Sequence, residues 1–374
     1  MMNDDEHGPI QRPLYWAVFD HLAHKGTMSV GERLDEFARE AALADRLGLD
    51  YYFTTEHHFS KDFSLSPSQS ISLTVIARET SRIRFGPLVV ILPVSQPLRV
   101  AEELTLLDHL SNGRLEVGLG RGIREHELLT YGVDPDTAVQ RVEEGLDVIR
   151  QAWSTEGRFS FSGEHYQYAE VEMPWRPVQK PHPPIWMPSN TPANAEEHGR
   201  NGFGGGGFSF LTASFYAPVA AAYERGYQAS GLPESQYRWA WMTPLLVAET
   251  DEQARDLCYE AFEYQVGLFE YEAQRSHEMV DDARKPAIEA GLERFRQMKS
   301  NLEESDELLR FMCGSPDTVI EKIQAVRSQL PVNVIMGEFS FGLLDWKYVE
   351  QSYRLLAEKV MPAFPRAAPQ SASR

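Results

Sequence analysis

Apolar residues dominate a set of short runs along this chain. The runs cover 14–19, 51–55, 83–92, 114–119, 185–187, 203–210, 239–248 and 332–339. Strands without polar alternation belong in a parallel sheet that is covered on both faces. Between the runs, apolar residues fall three or four apart, the spacing of a helix face. Leu34, Phe37, Ala41 and Ala44 mark one helix to about Leu47, with Ser29 as N-cap and Gly48 as its stop. Leu104, Leu107 and Leu110 mark another, closed by Asn112-Gly113. Val142, Leu146, Ile149 and Trp153 mark a third. Further helices are expected over 67–81, 191–199, 215–229, 251–276 and 345–360, with one more starting at 315. Close to eight strands alternating with helices predict an α/β fold, a (β/α)8 TIM barrel. The stretches at about 155–182, with hairpin character, and 264–310, charged and helical, read as insertions. A doubly wound sheet would carry GxGxxG after its first strand, and none follows here. One domain is expected over 13–364, with a flexible start at 1–12 and a disordered tail at 365–374.

Charge narrows the partners. With 36 basic and 55 acidic side chains the formal charge is −19, which argues against nucleic acid or an anionic membrane as the main partner. Cys258 and Cys313 are far apart in sequence and lack metal spacing, so no disulfide framework is expected and a reducing cytoplasm fits. The acidic first residues lack the apolar core of a secretory signal, and no run is long enough for a membrane span.

Barrel chemistry sits at the C-terminal ends of the strands. That rule gathers Asp20, His21 and His24, then Glu56, His57 and His58, then Arg121 with Glu125, His126 and Glu127, then Ser189 and Asn190. A histidine there either exchanges a proton near neutral pH or holds a loop through its ring nitrogens. Gly118, Gly120 and Gly122 around Arg121 make either an anion seat or a tight turn. Arg141 either converges with Arg121 on one phosphate, helped by Ser189 and Asn190, or pairs on the surface with Glu143 or Glu144. Gly204 to Gly207 admit either a flat ligand ring or neighbouring side chains. A metallohydrolase would need a His-x-His pair on the first strand and an aspartate after the last. Neither is present, so no metal is expected.

Several motifs arrive in a fixed order across nearly the whole chain. They are TTEHHF (54–59), ILPVSQPLRVAEE (91–103), LLDHLSNGRLEVGLGRG (106–122), YGVD (131–134), RPVQKPHPPIWMPSN (176–190), GFGGGGF (202–208) and a terminal FGLL…VMPAFP. Together they resemble the bacterial luciferase-like flavin-dependent monooxygenases. The resemblance implies reduced FMN at the barrel mouth, reacting with O2 to a C4a-hydroperoxyflavin that oxygenates a small organic substrate. It also implies an NAD(P)H:flavin reductase as the source of reduced FMN, and a homodimer through the second and third helices. His57 is then the catalytic, proton-handling residue, and Arg121 and Arg141 hold the phosphate, with Ser189 and Asn190 a looser match beside it. A non-prolyl cis peptide at Leu88–Val89 is implied beside the flavin ring. Glu56, Gly122 and Ile123 complete the implied cofactor site. Gly120 stands where the luciferases carry a reactive cysteine, which weighs against light emission. Two other readings follow from the same resemblance: an F420-dependent oxidoreductase working by hydride transfer, and a non-catalytic flavin-binding subunit. The retention of His57 and both arginines speaks against the second.

Overall fold

Short, largely apolar runs become strands because both of their faces are covered. The structure, a computed structural model, describes residues 11–26 and 28–366. Its strands are β1 (Tyr15–Asp20), β2 (Tyr51–Thr54), β3 (Arg84–Pro87), β4 (Val90–Ile91), β5 (Val117–Gly120), β6 (Arg158–Ser162), β7 (Gln167–Glu172), β8 (Ile185–Trp186), β9 (Gly205–Phe208), β10 (Trp239–Val247), β11 (Met312–Gly314) and β12 (Val334–Glu338). Tyr15, Ala17 and Phe19 of β1 pack inward with Tyr51 and Phe53 of β2 and Met336 of β12. Their neighbours Trp16, Val18 and Tyr52 point the other way, into the layer beneath the helices. This period of two, with apolar residues at both phases, produces the largely apolar runs.

All pairings around the sheet are parallel. β1 lies between β12 and β2, β2 also pairs with β3, and β10 pairs with β9, β11 and β12. β5 lies between β4 and β8 in a second ribbon. Single bridges, Phe85 to Leu115 and Trp186 to Gly204, link the two ribbons. The result is a curled, partly open parallel sheet flanked by helices, a TIM-barrel-like arrangement. The antiparallel hairpin β6–β7 stands apart from it, within the expected first insertion.

Local signals account for the helix ends. Ser29 closes a capping box on helix Val30–Leu47: its Oγ accepts from the Glu32 amide at 3.2 Å, and the Glu32 carboxylate accepts from the Ser29 amide at 2.8 Å. Gly48 ends that helix at φ 90°. Helix Pro97–Leu110 stops before Asn112 and Gly113, both at positive φ. Phe37 and Leu43 are buried on the first of these helices, and Leu104 and Leu107 on the second. Each such side chain contributes about 1.5–3 kcal/mol.

Some expectations need correction. The third run is two strands, β3 and β4, interrupted where the Leu88–Val89 peptide is cis, as the resemblance implied. β11 was not anticipated, being three residues between the charged stretch that ends at Arg310 and the helix start at Ser315. The helix after β8 starts at Pro192 with Thr191 as N-cap, so Ser189 and Asn190 precede it. The flexible start was drawn too long. Arg12 is buried, paired with Glu224 and Glu234, and stacked on the Tyr237 ring at 3.6 Å. At the other end, the Pro365 carbonyl accepts from the Leu14 amide at 2.8 Å. The expected flexibility of 1–10 and disorder of 367–374 lie outside the described residues. Cys258, on helix Asp251–Met279, is joined to Cys313 of β11 as a disulfide, against the expectation from their sequence separation. Among the described residues no helix is long and apolar enough to cross a membrane.

Candidate active site

β2 delivers Glu56, His57 and His58 to the C-terminal end of the sheet, where all three are buried. His57 Nδ1 lies 3.1 Å from Glu127 Oε1, and that oxygen also accepts from the His58 amide at 2.9 Å. Burial pushes the His57 pKa down to about 4, although Glu127 pulls it up. Burial would raise Glu127, but the hydrogen bond and charge of His57, the Arg124 cation and the His58 amide hold it below the usual carboxylate value. At neutral pH the pair is therefore a neutral imidazole and a carboxylate. A carboxylate can only accept, so the proton is assigned to Nδ1. Nε2 is then a free base, and it makes no hydrogen bond among the described residues.

His58 serves the loop instead. Its Nε2 meets Glu56 Oε1 at 2.9 Å, and its Nδ1 meets the Tyr131 hydroxyl at 3.2 Å. Burial raises the Glu56 pKa, with His58 opposing the shift. His58 is thus tied through both ring nitrogens, whereas the neighbouring His57 keeps Nε2 without a hydrogen bond among the described residues.

A second histidine–glutamate pair lies beside the first. His21 Nδ1 is 2.7 Å from Glu338 Oε1 at the end of β12, and Gln265 Nε2 donates to the same oxygen at 3.1 Å. The His21 and His57 rings stack at 6.1 Å. Phe63 touches both rings edge-on, at 4.9 and 4.8 Å. Asp20 turns outward, accepting from the Leu22 amide at 2.6 Å and the Tyr52 hydroxyl at 2.8 Å. His24 is held by the Met28 carbonyl at 2.8 Å. His126 Nδ1 meets Ser276 Oγ at 2.9 Å, and its Nε2 lies 3.4 Å from Glu272. Among the described residues no cluster of three His, Cys, Asp or Glu could hold a metal ion.

The four residues assigned to the phosphate stand apart in their contacts. Arg121 is exposed at the end of β5 and makes no hydrogen bond or ion pair among the described residues. Gly122 has φ 77°, and Ile123 is 66% exposed. Arg141, in the first turn of helix Ala138–Ser154, donates to Thr137 Oγ1 at 3.1 Å and borders a recess of about 260 Å³ with Ser95, Gln96, Tyr131 and Tyr166. It pairs with neither Glu143 nor Glu144. Glu144 accepts instead from the amides of Glu164, His165 and Tyr166. Ser189 Oγ accepts from the Thr191 amide at 3.2 Å, and Asn190 Oδ1 accepts from the Tyr216 hydroxyl at 2.9 Å. No hydrogen bond or ion pair among the described residues joins Arg121, Arg141, Ser189 and Asn190.

The glycines fill a packing role. A Cβ at Gly118 would strike the Pro87 carbonyl, and one at Gly120 would lie 2.8 Å from Val89 Cγ2. They let β5 lie against the Leu88–Val89 peptide. A Cβ at Gly204 would strike the Trp186 ring, and one at Gly207 would lie 2.7 Å from the Tyr216 ring. Space for crowded neighbours is therefore the role of the second glycine run.

The sequence places Glu127 near the mouth without matching it to His57, 70 positions away. Arg124, Gln265 and Glu272 were missed, because nothing linear links them to β1 or β2.

Residues 14–332 match the family model described as luciferase-like monooxygenase. The chain belongs to the luciferase-like monooxygenase family. Among relatives, it is 40% identical to the y4wF protein of Sinorhizobium fredii over 189 residues, covering 50% of this chain and 54% of that one. It is 30% identical over 190 residues to the oxygenase component of the flavin-dependent trigonelline monooxygenase of Acinetobacter baylyi, covering 50% and 52%. The chain spans about half the length of the curated relatives it matches. Among solved structures, the monooxygenase RslO1 of Streptomyces bottropensis superposes with a TM-score of 0.80 at 25% identity, covering 94% of this chain and 99% of that one. In this luciferase-like chain the His57–Glu127 pair and the cis Leu88–Val89 peptide occupy the mouth end of the sheet.

Proposed function

We propose that this protein is a flavin-dependent monooxygenase that uses reduced FMN and O2 to oxygenate a small organic substrate. One observation carries the reading: a buried, neutral His57 whose free Nε2 is set by a charged Glu127, at the strand ends of a luciferase-like fold. Eight strand positions support barrel closure, with β3 and β4 counted as one bulged strand between β2 and β5, followed by β8, β9, β10, β12 and β1.

The residues fit FMN. Arg121 is a cation at a strand end with no hydrogen bond or ion pair among the described residues, and Arg141 borders an open recess. These two would hold the phosphate, with the Ser189 hydroxyl and the Asn190 amide beside them. Leu88 and Val89 offer an apolar edge to the ring, with Glu56, Gly122 and Ile123 around it. Reduced FMN, when bound, supplies the electrons that activate O2. His57 Nε2 accepts and returns the proton, and Glu127 keeps the proton of Nδ1 in place. Phe63 and the neighbouring Phe269, 4.7 Å apart, exclude water. Ile71, Leu106 and Leu110 are exposed apolar side chains on helices Gln69–Glu79 and Pro97–Leu110, the pair of helices read as the homodimer face. A separate NAD(P)H:flavin reductase supplies the reduced cofactor.

The test is reconstitution with FMN and with F420 in parallel, followed by oxygen uptake with reductase-supplied FMN across aldehydes, alkanes, terpenes and sulfonates. The expected result is FMN binding and a product carrying one atom of labelled O2. Binding of F420 with no oxygen uptake would sink the reading in favour of hydride transfer.

A further inference from the structure

Arg124 is 5% exposed, and its guanidinium makes no hydrogen bond among the described residues. Its Nε and Nη2 are fully buried and unpartnered. Burial lowers its pKa, with Glu127 and Glu272 only partly opposing the shift. A buried, unsatisfied cation is costly, and native proteins rarely keep one without a use.

The surroundings do not satisfy it. Its carbon Cζ lies 4.2 Å above the Phe63 ring and 5.6 Å from the Phe269 ring. Those contacts engage the π-face of a ring, whereas the N–H donors lie in the guanidinium plane. The acidic neighbours make no hydrogen bond or ion pair with it. Glu127 Oε1 is taken by His57 and His58, its Oε2 is buried with no hydrogen bond among the described residues, and Glu272 pairs with Arg275 at 3.2 Å and accepts from Ser60 Oγ at 2.6 Å. Water could fill donor positions, but the charge would still be offset only in part, by Glu127 and Glu272. Arg124 nonetheless belongs to the catalytic neighbourhood, since Phe63 touches it and the His57 ring together.

We infer that Arg124 binds the carboxylate of the substrate, which makes the substrate class an organic acid with an apolar, preferably flat body. A planar carboxylate matches the guanidinium fork with two parallel hydrogen bonds. Phe63 and Phe269 would flank the apolar body, placing it beside His57. The inference rests on the monooxygenase reading above, from which it takes the site and the oxygen chemistry.

The test is equilibrium binding of paired acids and primary amides to the FMN-loaded protein, using benzoate with benzamide, 2-naphthoate with 2-naphthamide, and decanoate with decanamide. At least one acid is expected to bind about 100-fold more tightly than its amide, given the strength of a desolvated bidentate pair. Arg124→Met should shrink that ratio below about threefold, and Arg124→Lys should retain about tenfold as a point charge. Equal binding of acid and amide in every pair overturns the inference, as does an undiminished ratio in Arg124→Met. If Arg124→Met does not fold, the wild-type ratios and Arg124→Lys decide. A matched titration with FMN and riboflavin separates the other source of an anion. Loss of the preference for FMN in Arg124→Met would assign this arginine to the cofactor phosphate and overturn the carboxylate role. Flavin binding and oxygen uptake without any acid report on the monooxygenase reading alone, so the two failures are distinguishable.

Discussion

Two buried arginines sit at opposite ends of the strands, Arg84 at the start of β3 and Arg124 just beyond β5. Arg84 uses every nitrogen: Nε on Glu116, Nη1 on the Gly113 carbonyl, and Nη2 on the Leu115 carbonyl and Gln179. The other Glu116 oxygen accepts from Trp186 Nε1 at 2.7 Å, and Gln179 is fixed by both oxygens of Asp108. Nothing is left over for a ligand. Arg124 is as deeply buried, and its guanidinium makes no hydrogen bond among the described residues. A buried charge whose bonds are all made holds a structure together. One whose bonds are open points to a partner that arrives later.

The largest expected effect tests this contrast directly. Arg84→Met leaves Glu116 buried and uncompensated, and should cost about 3–5 kcal/mol in urea unfolding. Arg124→Met removes an unpaired buried charge, and should cost less than about 1 kcal/mol or stabilise. Equal losses in the two variants would erase the distinction.

The next effect sharpens the view of the mouth. Burial holds His57 at about 4 in the folded protein, below its ordinary 6.5. The unfolded chain therefore takes up this proton first, and stability falls as pH drops from about 6.5 to 4, by about 3 kcal/mol in total. Glu40 acts with the opposite sign, because burial raises its pKa and the folded state takes up that proton first. The measurement is thus the difference between wild type and His57→Asn, which should narrow as pH falls through this window. A constant difference would mean that His57 is not held neutral by the fold.

In turnover, His57→Ala should lower product formed per O2 consumed by about 100-fold, with the oxygen appearing as H2O2. Normal coupling would remove His57 from the mechanism. The smallest effect concerns Arg121. Its replacement by Ala should weaken FMN by about tenfold and riboflavin not at all, as expected for one charged hydrogen bond to phosphate. Equal affinities for FMN in the two proteins would leave Arg121 a plain surface residue.

Local rules were legible in the sequence, and pairings across the fold were not. Ser29, Gly48, Asn112 and Gly113 mark helix ends because capping acts within a few residues. The strands of β1 and β2 were legible because both faces are buried and no polar residue interrupts them. The Leu88–Val89 peptide came only from the resemblance, since no composition marks a non-prolyl cis bond. Arg12 was misjudged because its partners lie more than 200 positions away on another element. The same holds for Glu127 with His57, and for Gln265 with Glu338. Within one loop, HHF offers two similar rings. Which ring keeps a free nitrogen and which is tied at both follows from Glu127 and Tyr131, and neither partner is written in the residues beside them.

The disulfide has a consequence of its own. Cys258 and Cys313 are 55 positions apart, and between them lies the whole second insertion, with helices Lys285–Ser300 and Leu302–Glu307. That excursion is therefore a covalently closed ring, held to the core also by Gln265, Phe269, Glu272 and Ser276. A protease that cuts anywhere inside it produces two fragments that still migrate as one chain until a reductant separates them.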